Sequence, residues 1–130
     1  MNRFIQLDTN ALIALADPAG GVVQLVRERV QQGQLPAASA VAWHEFVRGP
    51  LLSDELLRVE RVVGARVQPV TRGTAELAAR LFNATGCRRA STADCFIAAS
   101  AIESGAELLA TNLEDFQPFV PFGLHLTVPA

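Results

Sequence analysis

At 130 residues, half of them apolar, the chain has the length and hydrophobic content for one continuous core and is short for two. A net charge of −2 and a pI near 5.6 exclude a general nucleic-acid coat, whose footprint is strongly basic, but leave a nuclease open. Every basic residue is an arginine, which excludes Walker-A phosphate binding, Schiff-base chemistry and receiver-type phosphoaspartate signalling, since each needs a lysine.

In chain order, residues 4–7 form a short apolar run ending at Asp8 and predict a strand, and 11–15 predict a helical turn or two stopped by Asp17-Pro18. A second helix is predicted over 21–32, with Val22, Val26 and Val30 at spacing four, closed by Gly33. Residues 35–38 read as a strand, and Ser39 as the cap of a helix that holds Val41, Trp43, Glu45 and Phe46 and ends at Gly49-Pro50. Leu52, Leu56, Val59 and Val63 give a fourth helical pattern, broken at Gly64. Val67 and Val70 suggest a brief third strand, 74–84 a helix, 87–90 an arginine-bearing loop, and 92–103 a helix ending at Gly105. Residues 107–110 predict a fourth strand, and the alternation of 124–128 an edge strand.

Strands separated by helices, without two-residue hairpins, require crossover connections. The expected class is therefore α/β: a three-layer α/β/α arrangement around a central, mostly parallel sheet of four to five strands, forming one domain over residues 1–130. No apolar run behind a basic stretch predicts export, and no stretch of about 18 apolar residues predicts a membrane span. Cys87 and Cys95 lack metal-ligand spacing, so reduced packing thiols in a cytoplasmic protein are expected and zinc is not.

Against that frame, four acids fall at or near strand ends and helix starts: Asp8, Glu45, Asp94 and Asp115. Singly, each has a structural reading. Asp8 could cap a helix from Thr9, Asp94 stands three after Ser91 as in a capping box, Asp115 could cap a turn before Phe116, and Glu45 could be solvated. Jointly they are harder to dismiss, because ligands of open parallel sheets bind outside the carboxyl ends of the strands. Carboxylates about 5 Å apart repel by roughly 3 kcal/mol per pair at an effective dielectric near 20. With no lysine to compensate, Mg²⁺ or Mn²⁺ fits, since both prefer oxygen ligands and can orient a phosphate and activate a water.

The segments Leu7-Asp8-Thr9-Asn10-Ala11-Leu12-Ile13, His44-Glu45-Phe46-Val47-Arg48-Gly49, Asp94-Cys95-Phe96-Ile97-Ala98-Ala99-Ser100-Ala101 and Leu109-Ala110-Thr111-Asn112-Leu113-Glu114-Asp115-Phe116 together resemble the PIN-domain family, and within it the VapC-like toxins of bacterial toxin–antitoxin pairs. The resemblance implies a Mg²⁺- or Mn²⁺-dependent endoribonuclease with Asp8, Glu45, Asp94 and Asp115 as the acidic set. Asp8 and Asp94 would be the most direct metal ligands. Thr9, Thr111 and Asn112 are implied as supporting or phosphate-orienting residues, and Arg88 and Arg89 are the best candidates for gripping RNA phosphates. A cognate antitoxin and a homodimer are implied partners. One departure is Asn112, where family members often carry a carboxylate. Whether Asp115 takes that place, and whether one metal or two is held, stays open.

Other residues carry blander readings. His44 and Glu45 are neighbours on a helix and point about 100° apart, which makes His44 a surface or interface residue before a general base. Trp43 and Phe46 read as packing, and Arg48 as a complement to the helix dipole. A non-catalytic PIN-like RNA- or protein-binding module is the alternative function. A haloacid-dehalogenase-like phosphatase is weaker, since it needs an aspartate where Asn10 stands and also a lysine.

Overall fold

The computed structural model describes residues 2–86 and 92–129. Five strands, β1 (Phe4–Leu7), β2 (Leu35–Ser39), β3 (Val67–Gln68), β4 (Glu107–Leu109) and β5 (His125–Thr127), make one sheet in the order β3-β2-β1-β4-β5. All four pairings are parallel. The described helices are α1 (Thr9–Leu15), α2 (Gly21–Gln31), α3 (Ala40–Val47), α4 (Ser53–Val63), α5 (Arg72–Ala84), α6 (Thr92–Glu103) and the single turn α7 (Leu113–Phe116). Short 3-10 segments follow α4 at Gly64–Arg66 and α7 at Gln117–Phe122. The helices flank the sheet, giving the expected three-layer α/β/α arrangement.

The central strands read as continuous apolar runs because both faces are covered. Ile5, Leu7, Ala37, Ala38, Leu108 and Leu109 are fully shielded from solvent. Phe46 from α3, Phe116 and Phe119 from the segment after β4, and Leu12 and Leu81 complete the large buried side chains of one connected core. Gln6 is the polar exception in β1. Its amide nitrogen donates to Ser104 Oγ at 2.9 Å and to Ser100 Oγ at 3.4 Å, which ties the strand to α6. Gly105, at φ +61°, takes the left-handed conformation that lets the chain leave α6 and enter β4.

The predicted elements that fall within the described residues are present, with shifted boundaries and two corrections; the 87–90 loop, Cys87 and the Ser91 cap lie outside those residues. Val70 lies outside β3, which is only two residues long, and is exposed. Thr71 claims the next position as the N-cap of α5, its hydroxyl accepting from Thr74 N–H at 3.2 Å, so the helix starts before residue 74. Asp115 is not a cap either. Asn112 caps α7, its Oδ1 accepting from Glu114 N–H at 3.1 Å, and Asp115 sits inside that turn. Among the described residues no helix is long and apolar enough to cross a membrane.

Candidate active site

The strand order fixes where a crevice can open. From β1 the chain steps outward to β2 and β3, then returns to the other side of β1 to lay down β4 and β5. Connections leaving the ends of β1 and β4 therefore diverge, and ligands of doubly wound sheets bind at such a switch point. Asp8 is the first residue past β1, and its N–H donates to the carbonyl of Leu109, the last residue of β4, at 3.0 Å. The sequence puts an acid at the position where the topology opens the sheet.

Asp8, Thr9, Asn10, Glu45, Asp94, Ile97, Asp115 and Phe116 line one cleft of about 170 Å³ at this edge. That is room for about five water-sized groups. Asp8 arrives from the end of β1 and caps α1, its Oδ1 accepting from Ala11 N–H at 2.7 Å. Gln6 and Asp8, two apart in extended chain, share a face. Gln6 is bonded to α6, and α6 supplies Asp94 from its first turn. Glu45 lies in α3, which Ser39 starts by accepting from Ala42 N–H at 3.0 Å. Asp115 comes from α7, held by the buried rings of Phe116 and Phe119, whose centroids are 6.3 Å apart.

The electrostatics are those of an over-charged, partly dry site. Asp8 is only 3 % exposed. Burial, the largest cause, pushes its carboxyl from the ordinary 3.8 up to about 6; the Ala11 N–H opposes this, and the charges of Asp115 and Glu45 add to it. Glu45 is held from two sides: Thr9 Oγ1 donates to its Oε1 at 2.7 Å, and Arg48 Nη2 stands 3.6 Å from its Oε2.

The donors fit a hard divalent cation. Carboxylate, hydroxyl and amide oxygens are what Mg²⁺ and Mn²⁺ prefer, and four carboxyls share one cleft. Among the described residues no group of three or more His, Cys, Asp or Glu side chains is arranged to hold a metal ion. Acids spread around a cleft suit an ion that keeps several waters, as Mg²⁺ usually does.

All four acids named from the sequence thus meet at one cleft. Thr9 joins them and bonds Glu45. Thr111 and Asn112 are exposed, are not among the described lining residues, and Asn112 spends its side chain on capping α7. Arg88 and Arg89 lie outside the described residues. Asn10, Ile97 and Phe116 are the lining residues that sequence reasoning missed: the two apolar ones read as core, and a polar residue in the first turn of a helix carries no distinguishing signal beyond its place two after Asp8. His44 is exposed, as expected, and Trp43 packs on Phe46 with ring centroids 5.4 Å apart.

The PIN domain profile matches residues 5–118, and the chain belongs to the PIN domain family. No curated protein matches its sequence. Among solved structures it is similar to VapBC2 from Rickettsia felis bound to a DNA fragment from its promoter, with TM-score 0.76, 14% identity and coverage of 98% of this chain and 99% of the other. It is similar to FitAcB from Neisseria gonorrhoeae, with TM-score 0.72, 18% identity and coverage of 96% and 97%. A toxin–antitoxin complex from Klebsiella pneumoniae gives TM-score 0.71, 20% identity and coverage of 97% and 98%. At these identities the likeness is one of fold, and it extends over nearly the whole chain.

Proposed function

We propose that this chain is a VapC-like toxin: an endoribonuclease that hydrolyses RNA phosphodiester bonds with Mg²⁺ or Mn²⁺, held in check by a cognate antitoxin and acting as a homodimer in the cytoplasm. The observation that carries the reading is the meeting of Asp8, Glu45, Asp94 and Asp115, from four distant segments, in one cleft at the sheet's switch point. Membership of the PIN family and likeness to toxin–antitoxin complexes support it.

Asp8 and Asp94 would hold the metal most directly, with Glu45 and Asp115 completing the acidic set. A cation held there would polarise a phosphate and lower the pKa of a bound water. The protein's own residues do the rest. Thr9 fixes the Glu45 carboxylate so that one oxygen keeps a defined direction. The α1 cap holds one Asp8 oxygen on the Ala11 N–H and leaves the other to serve as a ligand. Ile97 and Phe116, both buried, form the apolar part of the cleft's lining.

The test is incubation of purified protein with single-stranded RNA and Mn²⁺, beside Asp8→Ala and Asp94→Ala. Cleavage by the wild type and its loss in both variants is expected. Equal cleavage by all three proteins, or none by the wild type, refutes the reading. Mn²⁺ titration calorimetry separates the alternative, a non-catalytic PIN-like module, which predicts no carboxylate-dependent heat.

A further inference from the structure

A cleft walled by four acids, in a chain of net charge −2, repels the polyanion it is proposed to cut. Some cation near the cleft must receive the phosphates that the metal does not. Three ion pairs form among the described residues: Arg29–Glu107, Arg72–Glu76 and Arg48–Glu45. Only the last has a partner that lines the cleft. Arg66 is committed elsewhere, its guanidinium donating to the carbonyls of Pro36 at 2.6 Å and Val62 at 2.7 Å, and Arg58 donates to the carbonyl of Ala16.

Arg48 is differently placed. It is the C-cap of α3, one turn beyond Glu45, with its side chain 63% exposed against 23% for its partner. The separation of 3.6 Å is an ion pair without a close hydrogen bond, and pairs this exposed are weak and readily exchanged. Glu45 keeps a second tie through Thr9 and does not depend on Arg48 for its position. A carboxylate that ligates a divalent cation also has less charge to offer a guanidinium. The guanidinium then stands at the cleft's rim with its fork of donors open, a geometry that matches phosphate oxygens in pairs.

We propose that Arg48 is a substrate-positioning residue of this cleft: it rests on Glu45 in the free protein and transfers to an RNA backbone phosphate beside the scissile bond when Glu45 engages the metal. This inference rests on the ribonuclease reading above. It assigns Arg48 to binding rather than to the reacting atoms.

Arg48→Gln and Arg48→Lys, with Asp8→Ala as control, test it on a short labelled RNA. Single-turnover cleavage with Mn²⁺ at several salt concentrations separates half-saturation from the rate at saturation, and calorimetry with Mn²⁺ alone gives a readout independent of cleavage. For Arg48→Gln the half-saturation concentration rises about tenfold while the saturated rate stays within about twofold. The salt dependence of binding falls by the equivalent of one phosphate contact, a change of about 0.7 in the log–log slope for single strands. Mn²⁺ affinity stays level or tightens a few-fold, because a competing cation has left Glu45. Arg48→Lys keeps the charge and recovers part of the binding loss and most of the salt slope. Unchanged half-saturation and slope in Arg48→Gln, with a wild type that cleaves and an inactive Asp8→Ala, overturn this inference alone. A fall in the saturated rate or in Mn²⁺ affinity, with half-saturation unchanged, overturns it too, since Arg48 would then serve Glu45. A wild type that neither cleaves RNA nor binds Mn²⁺ removes the ribonuclease reading along with it.

Discussion

Asp8→Asn should make the metal-free protein more stable at neutral pH. The Asp8 carboxyl is raised to about 6 in the folded chain, chiefly by burial, from 3.8 when exposed. At about 1.4 kcal/mol per pH unit of displacement, ionising it inside the fold costs up to about 3 kcal/mol. The native state therefore holds a proton that the unfolded chain gives up, and stability from this group is complete below pH 3.8 and lost as pH rises to about 6. Asparagine has no charge to desolvate, and as an N-cap it is about as good as aspartate, so the bond from Ala11 N–H survives. The measurement is urea unfolding in EDTA from pH 4 to 8, followed by the fluorescence of Trp43, the chain's single tryptophan, which packs on Phe46. The variant's advantage should grow from its pH 4 value by about 2–3 kcal/mol by pH 7.5, a gain in Tm of roughly 10 °C for a domain of this size. A variant no more stable than wild type at pH 7.5, or an advantage that does not change with pH, refutes the account of a strained, desolvated Asp8.

Saturating Mn²⁺ should reverse that order: at about 1,000 times its Kd the ion adds about 4.1 kcal/mol to wild type and little to Asp8→Asn, a crossing visible in paired thermal melts. Thr9→Val removes the donor to Glu45 Oε1 while keeping the side chain's shape, so kcat/KM for RNA should drop about tenfold with Tm nearly unchanged; a larger loss of Tm than of activity would make Thr9 a packing residue instead. Ser39→Ala deletes the cap of the helix that carries Glu45 and should cost about 1 kcal/mol in urea unfolding. Phe116→Ala, opening a cavity beneath Asp115, should cost about 3–5 kcal/mol by the same assay, and a cost under 1 kcal/mol would show that α7 is not anchored by its ring.

Helices longer than two turns were legible because their apolar spacing and stops are local: the limits 92–103 read from Ala93, Ile97, Ala101 and Gly105 coincide with α6. Asp8, Asp94 and Asp115 were legible for the same reason, since each stands close to where a strand run ends or a helix begins; Glu45, well inside α3, was singled out by the family resemblance of its segment. Features set by competition between neighbours were not. Val70 looks like a strand residue, yet Thr71 needs that part of the chain to start α5. Asn112 and Asp115 are both good caps, and the one that wins is the one standing immediately before the turn. Asn10 and Arg48 are a step further removed, because their place at the cleft depends on how α1 and α3 sit against each other, which spacing along the chain does not encode.

The topology explains why Asp8, among the four acids, is the buried one. It is the only one joined directly to a central strand, bonded through its N–H to the neighbouring strand's last carbonyl, and so it cannot withdraw from the cleft without breaking the sheet's edge. Asp115 is exposed on a single helical turn, and Glu45 has Thr9 and Arg48 to share its charge. On the proposed reading, a cation held between the diverging ends of β1 and β4 would be met by a short side chain from position 8. Filling it with aspartate costs stability in the empty protein and returns it when charge arrives. Relieving the strain without losing the site would require moving the acid to a longer side chain. Asp8→Glu should therefore bind Mn²⁺ more weakly than wild type, because the added methylene overshoots the gap and gives up the 2.7 Å cap bond to Ala11. Calorimetry showing equal or tighter binding by Asp8→Glu would place the ion elsewhere in the cleft.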